Sequence, residues 1–352
     1  MQRKLATIQR IKTIEPVITR DGVPADSLEL ATFEDIAWQV VVKKGQFNVG
    51  DKAIYIEIST VVPEVEAFEF LRKKNFKVKT QKFVGTTLSQ GLAMPVDLLC
   101  EFNPIILEFE NFEDDLIVGS EVTDLLGIQR YEPEVFEHKM SGDLLARFPE
   151  HIVPKTDQER IQSAPYMLQA CEGLTMAATL KMDGTSSTFY WEDGAVHTCS
   201  RNFEQRPGNG TVYWQAVERY KLHDFLKANP NYVVQGEIVG PGIQKNRLGL
   251  SGLELYVFDI WDRDTNQYLP FEFVQTACSV WNLNCVELLG VWQGNAYTIE
   301  ELLEMAKGFY DGTKNPREGL VIRPYSKNVY DARFGRLSFK VINNDYLLNG
   351  GE

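Results

Sequence analysis

A lysine that ends an apolar run and is followed at once by a turn is a candidate nucleophile, and this chain carries one. Met176-Ala177-Ala178 leads to Leu180-Lys181-Met182-Asp183-Gly184-Thr185-Ser186, and Phe189-Tyr190-Trp191 comes next. Desolvation or nearby cations draw a lysine pKa down from about 10.4, giving the neutral amine that attacks. Asp183, two residues on, can hold a cation nearby without itself attacking. Taken alone, Lys-x-Asp-Gly reads as a surface turn. Charged residues set in the later strands change that reading.

Ser200-Arg201-Asn202 comes about twenty residues later, between Cys199 and Phe203. Val233-Val234-Gln235-Gly236-Glu237-Ile238-Val239 sets one carboxylate in an otherwise apolar strand. Glu254-Leu255-Tyr256-Val257-Phe258-Asp259-Ile260 ends a second such strand with aromatics and an acid, Tyr256 and Phe258 sharing a face by alternation. Glu318-Gly319-Leu320-Val321-Ile322-Arg323 and Leu337-Ser338-Phe339-Lys340-Val341 complete the series. An unpaired carboxylate beside apolar runs is costly, so Glu237 and Glu318 call for a cationic partner. The plainer readings are a salt bridge for Arg201 and a core aromatic for Phe258. Other chemistries lack their signatures: there is no Walker A sequence, no complete dinucleotide fingerprint after Gly240-Pro241-Gly242 and no hydrolase elbow. Five cysteines without a CxxC pair and four scattered histidines (138, 151, 197, 223) give no zinc spacing, and reduced, buried thiols are expected. Asn209-Gly210-Thr211 reads as a turn.

The frame that must position these residues is an α+β chain of two domains. Its 352 residues, 44% hydrophobic and 24% charged, suffice for two cores, and no run approaches the ~20 apolar residues of a membrane span. With no apolar signal core at the N-terminus, a cytoplasmic location is expected. The net charge of −13 is uneven: residues 1–100 sum to +2, residues 101–150 to −10, and the remainder to −5. Local basic patches decide phosphate binding, so the total excludes neither RNA nor DNA. Short strands and turns in the first hundred residues predict an OB-like β-barrel, with Ile54, Ile56 and Ile58 on one face and Tyr55 and Glu57 on the other. Arg72 to Lys82 holds six cations in eleven residues with Phe76 among them and Phe83 just beyond, which suits a phosphate backbone with stackable bases. Lys73, Lys74, Lys77 and Lys79 are the candidate RNA contacts. The acidic segment, with Pro133 and Pro149, reads as a connector packed on a domain. The boundaries are therefore 1–140, barrel plus connector, and 141–352, the candidate catalytic domain. In that second domain, helices are expected over Val212–Lys227 and over Thr298–Phe309, the latter opened by a Thr298-x-x-Glu301 capping box. Residues 314–340 add a local +5 that suits polyphosphate or RNA.

The ordered set from Lys181 to Lys340 resembles the covalent nucleotidyltransferases, the ATP-dependent RNA and DNA ligases and the mRNA capping enzymes, over roughly residues 150–345. Lys43-Lys44-Gly45-Gln46-Phe47-Asn48-Val49-Gly50-Asp51, Pro154-Lys155-Thr156-Asp157 and Gly240-Pro241-Gly242-Ile243-Gln244-Lys245-Asn246 are similar to the RNA ligases whose OB module is N-terminal. DNA ligases and capping enzymes carry that module after the second lysine motif, and only twelve residues come after Lys340. The resemblance implies a nucleotidyltransferase domain of antiparallel sheets with flanking helices. It implies that Lys181 takes AMP from ATP, that Arg201, Glu237, Phe258 and Lys340 bind the nucleotide, and that Asp183, Glu237 and Glu318 serve a divalent Mg2+ or Mn2+. AMP would pass to an RNA 5′-phosphate and a 3′-hydroxyl would displace it, sealing nicked duplex or broken ends. The commonest family pattern has lysine where Ser338 stands, so Arg336 or Lys327 would have to supply that charge. A monomer suffices. The alternatives are another nucleotidyltransferase, capping-like or DNA-joining, and a non-catalytic RNA-binding protein on a ligase-like core.

Overall fold

The structure is a computed structural model. It describes residues 4–85, 87–108, 111–131, 144–208, 210–294 and 296–351. Pro133, His138, Asn209 and the 140/141 boundary read from the sequence lie outside the described residues. So do Phe109 and Glu110 of the acidic run. The described residues form two compact units, one from residues up to 131 with 161–165 and 350–351, the other from residues 144–160 and 166–349.

The first unit is built on a five-stranded antiparallel sheet. Its order is Gln39–Lys43, Pro24–Phe33, Ala6–Ile18, Lys52–Ile56 and Leu92–Pro95. The long strand Ala6–Ile18 pairs Lys52–Ile56 with its first half and Pro24–Phe33 with its second, irregular at Ile11/Thr13 and Pro16/Ile18, so the sheet curls as an OB-type half-barrel. A three-stranded sheet, Gln129–Arg130, Thr60–Val61 and Lys77–Val78, and a hairpin of Gln81–Phe83 with Thr87–Ser89 add to it. Both faces of the Ile54 run are covered: Tyr55 and Glu57 are as buried as Ile54, Ile56 and Ile58. Its second face is covered: Tyr55 packs edge-on to Phe33 and Glu57 accepts from the Ser163 hydroxyl. The acidic stretch does pack, with Val122, Leu126 and Ile128 joining the core formed by Leu5, Ile8, Phe68 and Phe76.

The second unit is built on two main sheets, with a two-stranded ribbon of Tyr330–Asp331 and Gly335–Arg336 besides. The larger runs Leu144–Arg147, Phe203–Gln205, Ala195–Cys199, Thr185–Glu192, Tyr232–Val239, Glu254–Asp262 and Gln267–Tyr268, with Asn284–Cys285 alongside Glu254–Asp262. The smaller runs Glu159–Arg160, Phe339–Ile342, Gly319–Pro324, Thr175–Lys181 and Leu288–Gln293. The segments on either side of Met182-Asp183-Gly184 are therefore two strands, one per sheet, with that turn between them. Helices Val212–Arg219 and Leu222–Ala228 pack on the larger sheet. They replace the single helix expected over Val212–Lys227, because Lys221 adopts a left-handed conformation (φ 50°) and breaks the ladder. Helix Ile299–Ala306 carries the predicted capping box on Thr298 and Glu301, and stops before Phe309.

Candidate active site

Register places the site between the two sheets. In the smaller sheet Lys181 pairs with Gly319 and Thr179 with Val321, while Val321 pairs with Lys340. Paired residues of antiparallel strands share a face, so Lys181, Lys340 and Arg323 look out on one side. In the larger sheet Glu237 pairs with Ser186 and Tyr256, and Gln235 with Thr188 and Asp259. Arg323 reaches Asp259 at 2.9 Å, so these two faces meet.

At the open end of that meeting, Lys181 Nζ lies 2.7 Å from Glu318 Oε1, and the two side chains keep 24% and 15% of their surface exposed. Glu237 stands close enough to act on both. Burial, with Glu318 and Asp183 adding repulsion against the pull of Lys181, pushes its carboxyl up to about 8. Burial pulls on Lys181 in the direction expected from the sequence. The carboxylates Glu318, Glu237 and Asp183 outweigh it, and its pKa is raised. The lysine is therefore held as the ammonium here, a correction to the expected neutral amine.

Two glycines make the close approach feasible. A Cβ on Gly184 would come within 2.3 Å of the Ile238 carbonyl and 2.8 Å of Glu237 Cγ. Gly319, at φ +148°, leaves Val341 O no room for a Cβ either, at 2.1 Å.

Residues that no sequence pattern pointed to hold these groups in place. The Tyr310 hydroxyl donates to the Lys181 carbonyl at 3.0 Å and accepts from the Glu318 backbone N–H at 3.1 Å. It thus fastens the strand end of the lysine to that of its carboxylate. Asp183 is buried; Arg247 Nε approaches its Oδ2 at 2.9 Å and Tyr346 donates to its Oδ1 at 2.9 Å. The Arg247 guanidinium lies 4.7 Å over the Tyr346 ring. Only Lys245 and Asn246, adjacent to Arg247, fell within a motif quoted from the sequence.

The remaining predicted residues occupy varied surroundings. Arg201 donates to both oxygens of Asp157, at 2.8 and 2.9 Å, as an exposed ion pair. Phe258 is half-buried at a bulge where Gln235 pairs Asp259 but Gly236 pairs Val257. The regular pairing is interrupted at Phe258 itself, and Tyr256 and Phe258 are both half-buried. Lys340 shares the face of Lys181 by register. Ser338 is buried. Arg336, offered as a replacement charge, is committed to Asp259 at 2.9 Å and lies 4.1 Å over Tyr268. Among the described residues no three His, Cys, Asp or Glu side chains converge as a metal cage.

In the first unit, Lys73 and Lys79 are exposed, Lys74 is hydrogen-bonded to Gln81, and Lys77 lies 3.8 Å over the Tyr131 ring, with Lys79 at 5.8 Å. Phe76 is only 4% exposed, in the core, so it offers no face to a base. Tyr131 is the aromatic that stands among these cations, distant in sequence and missed for that reason.

Comparisons with known proteins bear on this geometry. A family described as RNA ligase matches residues 174–342, and an OB-fold domain family matches residues 5–96. Three solved structures of the Naegleria gruberi RNA ligase are similar to this chain at 32% identity. One contains pyrophosphate (TM-score 0.82, covering 99% of each chain). Another is a glutamate-to-alanine variant with ATP and Mn (TM-score 0.82, 99% of this chain and 100% of that one). A third, also a glutamate-to-alanine variant, holds AMP and Mn (TM-score 0.81, 99% of each). No curated protein sequence matches. The site and the two-module fold define a nucleic-acid-joining enzyme. The chain belongs to the RNA ligase family, with its OB-fold module N-terminal. Among the described residues no helix is long and apolar enough to cross a membrane.

Proposed function

We propose that this ATP-dependent RNA ligase seals RNA through a covalent adduct on Lys181. In the first step Lys181 Nζ attacks the α-phosphorus of ATP, the N–P bond forms, and the bond to the β-phosphate oxygen breaks as pyrophosphate leaves. The proton that Lys181 must lose has Glu318 as a near acceptor. AMP then passes to an RNA 5′-phosphate, and a 3′-hydroxyl displaces it to join the strand. Each step is an in-line displacement, so the protein's work is alignment and charge neutralisation. The observation that carries the reading is the Lys181–Glu318 pair at 2.7 Å beside a second carboxyl, Glu237, which burial pushes up.

That charge balance also fits a divalent cation. Glu237, Glu318 and Asp183 crowd one ammonium and one guanidinium; burial, with repulsion from Glu318 and Asp183 added, lifts Glu237, and a cation would relieve both. Without a three-carboxylate cage, Glu237 and Glu318 would hold it chiefly through water, with Asp183 bound to Arg247 behind them. Bound there, Mg2+ or Mn2+ neutralises phosphate oxygens and favours the amine of Lys181. Phe258 stacks on the adenine, Lys340 approaches phosphate from the same sheet face, and Arg201 exchanges Asp157 for a phosphate. RNA, as nicked duplex or broken ends, lies against Lys73, Lys74, Lys77 and Lys79. The enzyme works as a monomer; its place is the cytoplasm, which suits its five free thiols. The domains are 1–140 and 141–352.

The test is incubation with α-labelled ATP and Mg2+ or Mn2+, run on a denaturing gel beside Lys181→Ala. A labelled band of 40.1 kDa that the variant lacks is expected. A band retained by the variant, or absent from both, would sink the covalent mechanism.

A further inference from the structure

Two of the five cysteines lie together, away from the charged cluster. Cys278 is buried on the inner face of helix Phe271–Trp281, among Phe271 and Val274. The helix stops at Asn282, which is left-handed, and the Leu283 N–H returns to the Cys278 carbonyl at 2.9 Å. The chain then enters the short strand Asn284–Cys285, parallel to Glu254–Asp262, with Cys285 opposite Val257. This tight return brings the two thiols into a shared hydrogen bond. Cys285 is half-buried and Cys278 fully so.

The two sulfurs differ chemically. The hydrogen bond from Cys278 lowers the Cys285 pKa against its burial, and Arg323 adds to that effect. The same bond and burial push Cys278 up. The more accessible sulfur, Cys285, is the one peroxide reaches first, with a second thiol waiting behind it. By contrast, burial pushes Cys171 up to about 12 and Cys199 higher still, which makes both inert.

We propose that Cys278 and Cys285 are a redox-sensitive dithiol that peroxide closes to a disulfide, and that closure slows nucleotide loading through Phe258. The Cys285 thiolate attacks one peroxide oxygen; an S–O bond forms, the O–O bond breaks, and hydroxide leaves. Cys278 then attacks that sulfur, an S–S bond forms, the S–O bond breaks, and water leaves with the Cys278 proton. Two thiols are oxidised and one peroxide is reduced to two waters.

Closure draws the sulfurs from hydrogen-bond contact to about 2.05 Å. The helix end is anchored in the core, so the strand must give. That strand supports the bulge: the Val286 N–H donates to the Val257 carbonyl at 2.9 Å, next to Phe258. The coupling rests on Phe258 as the adenine platform proposed above.

The experiment treats the full-length protein with hydrogen peroxide, alkylates free thiols, and cleaves with chymotrypsin, since Trp281 separates the two cysteines. We expect a disulfide-linked pair of peptides carrying Cys278 and Cys285. Labelling by α-labelled ATP should slow roughly tenfold, recover on reduction, and stay unchanged by peroxide in Cys278→Ser and Cys285→Ser. No linked pair overturns the dithiol; a linked pair with unaltered labelling overturns the coupling to Phe258. The reduced wild type is the control for the covalent mechanism itself: if it fails to label, that mechanism is at fault and not the dithiol.

Discussion

The second unit buries two clusters of charge, and they are balanced in opposite ways. Around Lys181 three carboxylates (Asp183, Glu237, Glu318) face two cations (Lys181, Arg247), and the cluster is open to solvent at one end. Around Asp259 one carboxylate faces two guanidiniums, Arg323 and Arg336, each at 2.9 Å, and the cluster is sealed. Aromatic faces cover those guanidiniums, Phe271 at 5.2 Å from Arg323 and Tyr268 at 4.1 Å from Arg336. The sealed cluster ties the sheets together, while the open one is left short of positive charge. A sealed cluster whose every charge has a partner is architecture; an open one left short of positive charge awaits a ligand.

The sharpest way to break this contrast is Asp259→Ala. It strands two buried guanidiniums, and a loss of about 3–5 kcal/mol is expected in urea unfolding followed by tryptophan fluorescence. A loss within experimental error would mean the sealed cluster does not hold the sheets. The next effect is on pH dependence. Because the Glu237 pKa is raised to about 8, its contribution to stability is full below the ordinary glutamate range and is lost as pH rises toward that value. Glu237→Gln should therefore flatten the fall in unfolding midpoint between roughly pH 5 and 8, measured without metal or nucleotide. An unchanged slope would place the strain elsewhere.

Glu318→Gln should slow formation of the covalent adduct by about a hundredfold, near 2.7 kcal/mol, yet change unfolding by less than about 1 kcal/mol. If stability fell as far as in Asp259→Ala, the two clusters would be alike. Tyr310→Phe keeps the ring and removes the hydroxyl that joins Lys181 to Glu318. A roughly tenfold slower adduct formation with KM for ATP unchanged is expected from single-turnover labelling. Smallest is Tyr346→Phe, about threefold in the same assay, since Arg247 still holds Asp183.

The sequence carried the chemistry at strand ends better than the shell behind it. Lys181, Glu237 and Glu318 were legible because a charge interrupting an apolar strand has to be resolved somewhere, and their spacing matched the strands that hold them. Tyr310, Tyr346 and Arg247 act through one or two polar contacts each, to residues as many as 163 positions away, and no periodicity encodes such a reach. Phe76 read as exposed because its neighbours are lysines, but the turn after Lys74 directs it inward. The bulge at Phe258 and the left-handed Lys221 were equally invisible, since each is a backbone choice imposed by packing.

One detail of connectivity bears on how such a protein can be divided. The chain leaves the second unit after Arg160, spends residues 161–165 in the first, and re-enters at Tyr166. Those five residues are built in: Ser163 accepts from the Trp38 indole at 3.0 Å and donates to Glu57, and Gln162 accepts from the Ala37 N–H at 2.8 Å. A single cut near residue 140 would therefore remove a piece of the first unit's interior, leaving the Trp38 N–H without its acceptor. The two modules are stitched, so neither is a cassette that recombination or cloning can lift out with one incision.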